Sequence, residues 1–207
     1  MSKLKIINGG IYPFIKRVLD LLFSVILLIV LFLPMLTIGL CIRLGTGESA
    51  IFKQKRIGAD GRVFTCYKFR TMYMRAPSEL STAEFADAQS FITPIGKKLR
   101  RVSLDELPQL INVALGQMSL VGPRPLIARE HNAHEMRYGS GASSLRPGIT
   151  GLAQISGRDM LDDVNKVYFD TEYLFNMSFL LDLRILLITV TKAFRGEGVK
   201  GVSDTYS

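Results

Sequence analysis

An uncharged stretch from Leu21 to Ile42, rich in Leu, Ile, Val and Phe, restricts this chain more than any other feature of its sequence. As one straight helix it would be about 33 Å long, which is enough to cross the hydrocarbon core of a bilayer. It is longer than the apolar part of a secretory signal, and it ends at Arg43 without a small-residue cleavage site. The stretch therefore predicts a membrane segment that the mature protein retains.

Two features of this stretch argue against a simple spanning helix. Pro34 lies near its middle, where proline removes a helical hydrogen bond and crowds the preceding turn. Basic residues flank both ends, with Lys16 and Arg17 before the stretch and Arg43 and Lys53 after it. Because positive charge marks the cytoplasmic side, a broken helix that enters and leaves by one face suits both flanks. These features alone support a re-entrant hairpin and a kinked spanning helix equally.

The rest of the chain predicts a small domain in which helices outnumber strands. Two strands are predicted, Ala50 to Phe52 and Val63 to Phe69, because both stretches are β-branched and aromatic and a turn around Gly58 to Gly61 separates them. A length of 207 residues favours one such domain rather than several. We therefore expect an α+β fold that is mostly helical.

Helices are predicted from Ile95 to Arg101, from Ser103 to Leu115 and from Ser178 to Phe194. The last of these is mostly apolar but carries charged residues such as Asp182 and Lys192. It is too charged to span a bilayer comfortably and too apolar for a surface helix in water. An amphipathic helix that lies in the membrane plane at the headgroups fits this composition, with a buried core helix as the alternative.

The chain is basic, with a formal net charge of +8 and a pI of about 9.6. Such a charge suggests an anionic partner, which can be nucleic acid, an anionic lipid surface or a phosphorylated substrate. Charge alone does not choose among them. The two cysteines, Cys41 and Cys66, lack CxxC spacing, so neither a zinc site nor a disulfide framework is indicated.

Two adjacent carboxylates, Asp105 and Glu106, lie at the predicted start of the helix that begins at Ser103, after a basic run that includes Arg100. One interpretation is structural, with Ser103 and Glu106 as a capping box and Asp105 complementing the helix dipole. The other is chemical, because an aspartate kept ionised by cationic neighbours can attack phosphorus and form an acyl phosphate. Two carboxylates can also recruit Mg²⁺. Taken alone, the pattern favours capping, which is the commoner use.

Several basic residues are placed as phosphate ligands often are. Lys68 and Arg70 share one face of the second predicted strand, and Arg124 lies between two prolines that fix the backbone on both sides. For Lys68 and Arg70 a solvated basic edge strand is the commoner case, and Arg124 can equally be an exposed arginine in a plain turn. The same alternatives, substrate contact or a solvated charge, apply to four further residues: Arg146, Arg158, Asp170 and Asp182.

Five segments carry the strongest functional signal. They are Lys16 to Asp20, Lys68 to Met72, Ser103 to Leu110, Gly116 to Pro125 and Arg146 to Gln154. Together, and in this order, they closely resemble the motifs of the bacterial sugar transferase family, the monotopic polyprenyl-phosphate phosphoglycosyl transferases. The resemblance runs from about Lys16 to Phe194, which is nearly the whole chain.

The resemblance implies roles for individual residues. Asp105 would be the nucleophile that takes up the phosphosugar and Glu106 its partner, with Mg²⁺ expected beside both. Basic active-site positions of the family are matched by Lys68, Arg100, Arg124 and Arg158. Further substrate-binding positions are matched less directly by Arg70, Arg146, Asp170 and Asp182.

The resemblance also implies an architecture. Family members use a re-entrant helix hairpin broken at a proline. The resemblance therefore favours a hairpin in residues 1–45 over a spanning helix. Residues 46–207 are then a catalytic domain on the cytoplasmic face of the bacterial plasma membrane, with interfacial amphipathic helices and a small β-hairpin around its core. Some relatives have serine before the proline; here it is Leu33, which cannot bond to backbone groups freed at the break.

The implied reaction transfers a sugar 1-phosphate from a UDP-sugar to polyprenyl phosphate and releases UMP. The expected anionic partners are therefore these two substrates and membrane lipids, and not nucleic acid. Two alternatives are a membrane-tethered glycosyltransferase, which would release UDP, and a non-catalytic basic module that binds lipid.

Overall fold

The computed structural model describes residues 10–76, 88–157 and 161–195. Within these ranges helices predominate and the strands form two small two-stranded sheets, which confirms the expected α+β class. The helices are α1 (Ile11–Val30), α2 (Phe32–Thr46), α3 (Pro94–Arg101), α4 (Gln109–Ala114), α5 (His131–Ser140), α6 (Leu152–Ser156), α7 (Asp163–Asn176) and α8 (Phe179–Arg195). The strands are β1 (Ile51–Ile57), β2 (Val63–Phe69), β3 (Ser119–Val121) and β4 (Gly148–Thr150).

Helices α1 and α2 are one apolar segment that is broken at Leu31 and bent by 62°. Pro34 causes the break, because it has no N–H for the carbonyl of Val30 and its ring crowds that carbonyl. The N–H groups of Leu31 and Met35 keep 2.8 Å bonds to carbonyls one turn earlier, so the remaining backbone stays paired. The predicted break is confirmed. In the described ranges no single helix has the length and apolarity to cross a membrane, whereas this bent pair together does by those two criteria.

The outward sides of α1 and α2 are apolar, but the two helices pack on the domain differently. Phe14, Ile29 and Leu44 are each more than 70% exposed, whereas Asp20 and Ser24 of α1 are buried. The carboxylate of Asp20 accepts hydrogen bonds from the Ser119 hydroxyl at 2.7 Å and from a neighbouring backbone N–H. Helix α1 therefore buries polar groups, which is the reverse of a helix in a water-soluble domain, whereas α2 buries Ile42 in an apolar cluster.

The β-hairpin holds two antiparallel strands in the register Phe52 to Lys68 and Ile57 to Val63. The second strand has its predicted bounds. The first continues to Ile57, well past the predicted end. The prediction was too short because the exposed Lys53 and Lys55 alternate with inward-facing residues, so the sequence lacks the apolar run of a typical strand. The turn between the strands contains a 3₁₀ turn, Ala59–Gly61.

The helix predicted from Ser103 to Leu115 is wrong in its first half. Leu104–Glu106 is a 3₁₀ turn, and α4 begins only at Gln109. Pro108 is the reason, because it cannot donate to the carbonyl of Leu104 as a continuous helix requires. Ser103 has a left-handed φ of 57° and makes no side-chain cap bond, so the capping-box interpretation is also wrong.

Helix α8 is amphipathic, as expected. Its burial matches neither of the two predicted alternatives fully, a helix in the membrane plane or a buried core helix. Asp182 and Ile185 are buried against the core, where Ile185 packs with Val121 and Tyr173. The opposite face carries an exposed apolar stripe that includes Leu180 at 75% and Phe194 at 84%. This helix is therefore partly a core helix and partly an unpaired apolar surface.

Candidate active site

The 3₁₀ turn that carries Asp105 and Glu106 packs against strand β2 and helix α3. From β2, the ammonium of Lys68 reaches Oε1 of Glu106 at 2.7 Å, and the two side chains are 20% and 15% exposed. Lys68 therefore holds one of the two carboxylates in a partly shielded position. The adjoining Asp105 is partly exposed in the same turn.

Glu106 faces a small cleft in which positive charge outnumbers negative charge. The charged side chains that line the cleft are those of Arg56, Lys68, Arg124 and Glu106, so three cations stand against one anion. Gln109 and Gln154 add neutral polar groups to the lining. Such a surplus attracts a phosphorylated ligand, and guanidinium groups bind phosphate oxygens with paired hydrogen bonds.

Arg124 reaches the cleft because two motif segments are held together as a parallel pair of strands. The N–H of Gly122 donates to the carbonyl of Thr150, and the N–H of Gly148 donates to the carbonyl of Pro123, both at 2.8 Å. A Cβ on Gly148 would lie 2.1 Å from the nitrogen of Gly122. Glycine is therefore required for this approach, and strand β4 lies within the motif from Arg146 to Gln154.

Arg56 was not predicted as a site residue, yet it forms part of the cleft wall. Its Nη1 donates to the carbonyl of Pro125 at 3.0 Å and its Nη2 to the side chain of Gln54 at 2.6 Å. Burial and, secondarily, the charge of Arg124 lower the pKa of Arg56 to about 10. Arg56 stays cationic at neutral pH and adds to the positive field around Glu106.

The other predicted arginines lie at different distances from this arrangement. Arg100, on α3, donates from Nε to the Thr71 hydroxyl at 2.9 Å, next to the turn that carries the carboxylates. Arg70 donates from Nε to the carbonyl of Ser49 at 2.7 Å, and the exposed Arg146 donates to that of Gly116 at 3.2 Å. Neither Arg70 nor Arg146 lines the cleft. Arg158 lies outside the described residues.

Asp170 and Asp182 are buried in internal networks, which corrects the interpretation of both as solvated charges. Asp170 pairs with Arg137 at 2.7 Å, and burial nevertheless raises the pKa of Asp170. Asp182 accepts from Tyr12, Lys16 and Tyr173 at 2.7, 2.6 and 2.6 Å. Neither carboxylate lines the cleft. Their hydrogen-bonding capacity is used to hold helices together, so nothing in this geometry supports substrate contact by either residue.

A divalent cation would find few protein ligands here. In residues 10–76, 88–157 and 161–195, no three His, Cys, Asp or Glu side chains are grouped as a metal site. Mg²⁺ commonly binds through one or two carboxylates together with substrate phosphates and water. Adjacent Asp105 and Glu106 fit that donor set, with one oxygen of Glu106 already engaged by Lys68.

The sequence is similar to known proteins over almost its full length. A family model described as bacterial sugar transferase matches residues 11–196. The uncharacterized sugar transferase EpsL of Bacillus subtilis (strain 168) is 38% identical, with 90% of each chain covered. The exopolysaccharide production protein ExoY of Sinorhizobium fredii is also 38% identical, with 92% of this chain and 88% of that protein covered.

Larger relatives carry names that state a reaction. The UDP-glucose:undecaprenyl-phosphate glucose-1-phosphate transferase of Escherichia coli (strain K12) is 37% identical over 90% of this chain. The match covers 41% of that protein, so this chain corresponds to less than half of it.

Proposed function

The chain belongs to the bacterial sugar transferase family, and we propose that it transfers a sugar 1-phosphate from a UDP-sugar to undecaprenyl phosphate. The observation that carries the proposal is the contact of Lys68 with Glu106, beside Asp105, in a cleft with surplus positive charge. The printed name of the Escherichia coli relative describes the same transfer with glucose. The product would be a polyprenyl diphosphate sugar, the first membrane-bound intermediate of a surface polysaccharide or glycoconjugate.

The first step is attack by a carboxylate oxygen of Asp105 on the sugar-linked phosphorus of the donor. A new bond forms between that oxygen and phosphorus, and the bond from phosphorus to the bridging oxygen breaks, so UMP leaves with the bonding electrons. Arg56, Lys68 and Arg124 line the cleft next to the turn that carries Asp105, although Asp105 itself does not line it, and their charges would stabilise the departing phosphate. Mg²⁺, held by Asp105, Glu106 and the diphosphate, would shield that charge further.

The second step returns Asp105 to its carboxylate form. A phosphate oxygen of the polyprenyl phosphate attacks the phosphorus of the acyl phosphate, and the bond to the aspartate oxygen breaks. Lys68 holds Glu106 in place beside the reaction centre through the 2.7 Å contact of their side chains.

The apolar outer faces of α1, α2 and α8 support a site at the membrane surface. We propose that the broken α1–α2 segment enters and leaves the bilayer from the cytoplasmic side, while α8 lies at the headgroups. The protein would then be monotopic on the bacterial plasma membrane. The bend forms with Leu33 before the proline, and the Thr37 hydroxyl donates to the Leu33 carbonyl at 3.0 Å. This placement brings a soluble donor and a lipid phosphate to one cleft.

The nucleotide product tests the reaction. Purified protein with Mg²⁺ and undecaprenyl phosphate is incubated with a panel of UDP-sugars, and the released nucleotide is identified by chromatography. We expect UMP from at least one donor. Release of UDP would instead indicate a glycosyltransferase, and no nucleotide with any donor would indicate a lipid-binding module. Intact mass of protein mixed with an active donor but no acceptor is expected to increase by one sugar phosphate.

Labelling of single cysteines tests the topology. Gly10→Cys and Ser49→Cys lie at exposed positions on either side of the helix pair and are introduced separately into a chain without Cys41 and Cys66. In intact cells, an impermeant maleimide is expected to label neither; in inverted vesicles it is expected to label both. Labelling of one position from each side would establish a spanning segment and contradict the re-entrant proposal.

A further inference from the structure

The guanidinium group of Arg56 is buried in the cleft wall without a carboxylate partner within the described part of the chain. The residue is 9% exposed, and its hydrogen bonds go to two neutral acceptors, Pro125 and Gln54. Its Nε is shielded from water and has no hydrogen-bond partner. Buried polar atoms are ordinarily hydrogen-bonded, so the Nε–H of Arg56 is a donor available to a ligand.

A second cation adds to the positive charge around this donor. Arg124 lines the same cleft, and its charge lies close enough to Arg56 to disfavour protonation of the Arg56 guanidinium. The carboxylates of Glu130 and Glu106 oppose this effect, but burial and Arg124 outweigh them, so the pKa of Arg56 is lowered to about 10.

Gln154 contributes a hydrogen-bond acceptor to the same cleft, whereas Arg56 contributes a donor. Its Nε2 donates to the carbonyl of Ile149 at 2.9 Å, which fixes the amide so that Oε1 faces away from that carbonyl. Oε1 is shielded from water and has no hydrogen-bond partner. An amide oxygen only accepts hydrogen bonds, so it cannot bind an ionised phosphate oxygen. It requires a hydroxyl or an N–H.

We propose that Arg56 and Gln154 form a subsite for the transferred sugar phosphate, an inference that rests on the proposed function. The Nε–H of Arg56 donates to a phosphate oxygen of the donor, and Oε1 of Gln154 accepts from a hydroxyl of its sugar. A sugar 1-phosphate carries both groups a few bonds apart. A trapped water would also supply a donor and an acceptor to these two atoms, but a site filled by water alone would leave donor binding unchanged in variants of Arg56 and Gln154. The cleft encloses about 10 Å³, so it must open to admit the donor.

The Arg56 half of the subsite is tested by donor binding on an Asp105→Asn background, where no covalent adduct is expected. Calorimetry measures the Kd of UDP-glucose and UDP-galactose for this background, called wild type below, and for Arg56→Met, Arg56→Lys and Lys55→Met on it, with the thermal midpoint of each protein recorded. Arg56→Met is expected to weaken both donors by about tenfold or more, as for loss of a charged hydrogen bond. Arg56→Lys should recover part of this loss. Lys55→Met removes the same charge from an exposed position on the same strand and should change neither Kd.

The Gln154 half is tested with UDP-glucose analogues that each lack one sugar hydroxyl. Wild type is expected to bind one of these analogues about fivefold or more weakly than UDP-glucose, as for loss of one hydrogen bond. Gln154→Leu should bind that analogue and UDP-glucose equally. A purely structural role for Gln154 would lower the thermal midpoint but leave this discrimination unchanged.

The outcomes separate the subsite from the reaction. If Arg56→Met and Gln154→Leu bind donors as wild type does while UMP is still released, the subsite is refuted and the transfer stands. If no donor yields UMP but wild type binds donors through these two residues, the reaction is refuted and the subsite stands. Wild type that binds neither UDP-glucose nor UDP-galactose overturns the subsite as stated. A fall in thermal midpoint with unchanged Kd also refutes it.

Discussion

The ammonium of Lys68 and Oε1 of Glu106 lie 2.7 Å apart, and this contact joins strand β2 to the 3₁₀ turn that carries both carboxylates. The two side chains are 20% and 15% exposed, so water screens the pair only in part. A charge-assisted hydrogen bond in such a setting fixes the position of the Glu106 side chain. The neighbouring Asp105 is oriented by the same turn.

Lys68→Met is expected to lower kcat/KM for the UDP-sugar by about tenfold to a hundredfold, because Glu106 loses a charged partner. UMP release at saturating undecaprenyl phosphate measures the loss. Lys53→Met, an exposed lysine of the same hairpin, serves as the control and should match wild type. Equal activity of the two variants would contradict the role given to Lys68.

Asp105→Asn is expected to reduce turnover by on the order of 10⁴-fold or more, as for removal of a nucleophile. Intact mass spectrometry should show no phosphosugar adduct on this variant. Asp60→Asn is a matched control, because Asp60 is exposed in the hairpin turn with a φ of 53° that asparagine also adopts. An adduct on folded Asp105→Asn protein would refute the nucleophile assignment.

The sequence predicted the elements whose signals are local. The bounds of β2 were predicted correctly because Val63–Phe69 is short, β-branched and aromatic. Arg56 was missed because β1 was predicted to end at Phe52. Side chains alternate between the two faces of a strand, so a longer predicted strand would have placed Arg56 on the face opposite Lys53 and Lys55.

Long-range partners explain the other errors. Asp182 was interpreted as a substrate contact or a solvated charge, but its partner Tyr12 is 170 positions away in the chain. No local pattern indicates such a pairing, because burial of the carboxylate depends on how α1 packs against α8. The proposed site residues remain predictions of the motifs, with the cleft as their structural support.

Asp182→Asn is expected to lower the free energy of unfolding by about 2 kcal/mol or more, because the buried ammonium of Lys16 loses its 2.6 Å partner and keeps the more distant carboxylate of Asp20, at 3.8 Å. Thermal and urea unfolding in detergent measure the change. Asp163→Asn is the control: its pair with Lys166 is more exposed, and its loss should cost about 0.5 kcal/mol or less. A similar small cost for both variants would show that the Asp182 network does not hold the helices together.

Gly96→Ala is expected to destabilise the domain by about 1–3 kcal/mol, as overpacked sites do. A Cβ at this position would lie 2.1 Å from the carbonyl oxygen of Thr71, so α3 must move and carry Arg100 with it. Gly45→Ala is the control, since nothing lies within 4 Å of its Cβ and alanine favours the helix. The free energy of unfolding should therefore fall for Gly96→Ala and rise for Gly45→Ala, and the KM for the donor should rise only for Gly96→Ala. A neutral Gly96→Ala variant would contradict the close packing of α3.

Cys66 is expected to resist alkylation in the folded protein between pH 7 and about 9, the range in which an ordinary thiol becomes reactive thiolate. Burial, which outweighs the opposing charges of Lys68 and Arg56, raises the pKa of the Cys66 thiol. The protonated form therefore favours folding below the ordinary pKa, and this contribution is lost as the pH rises through the raised value.

Timed iodoacetamide treatment of Cys41→Ser protein, followed by mass spectrometry, measures the rate at which Cys66 is alkylated, and guanidinium should restore full labelling. Ser49→Cys in a chain without Cys41 and Cys66 carries its thiol at an exposed position outside the helix pair and should label without denaturant. Rapid native labelling of Cys66 would mean that the β2 core opens readily, contrary to its 1% exposure.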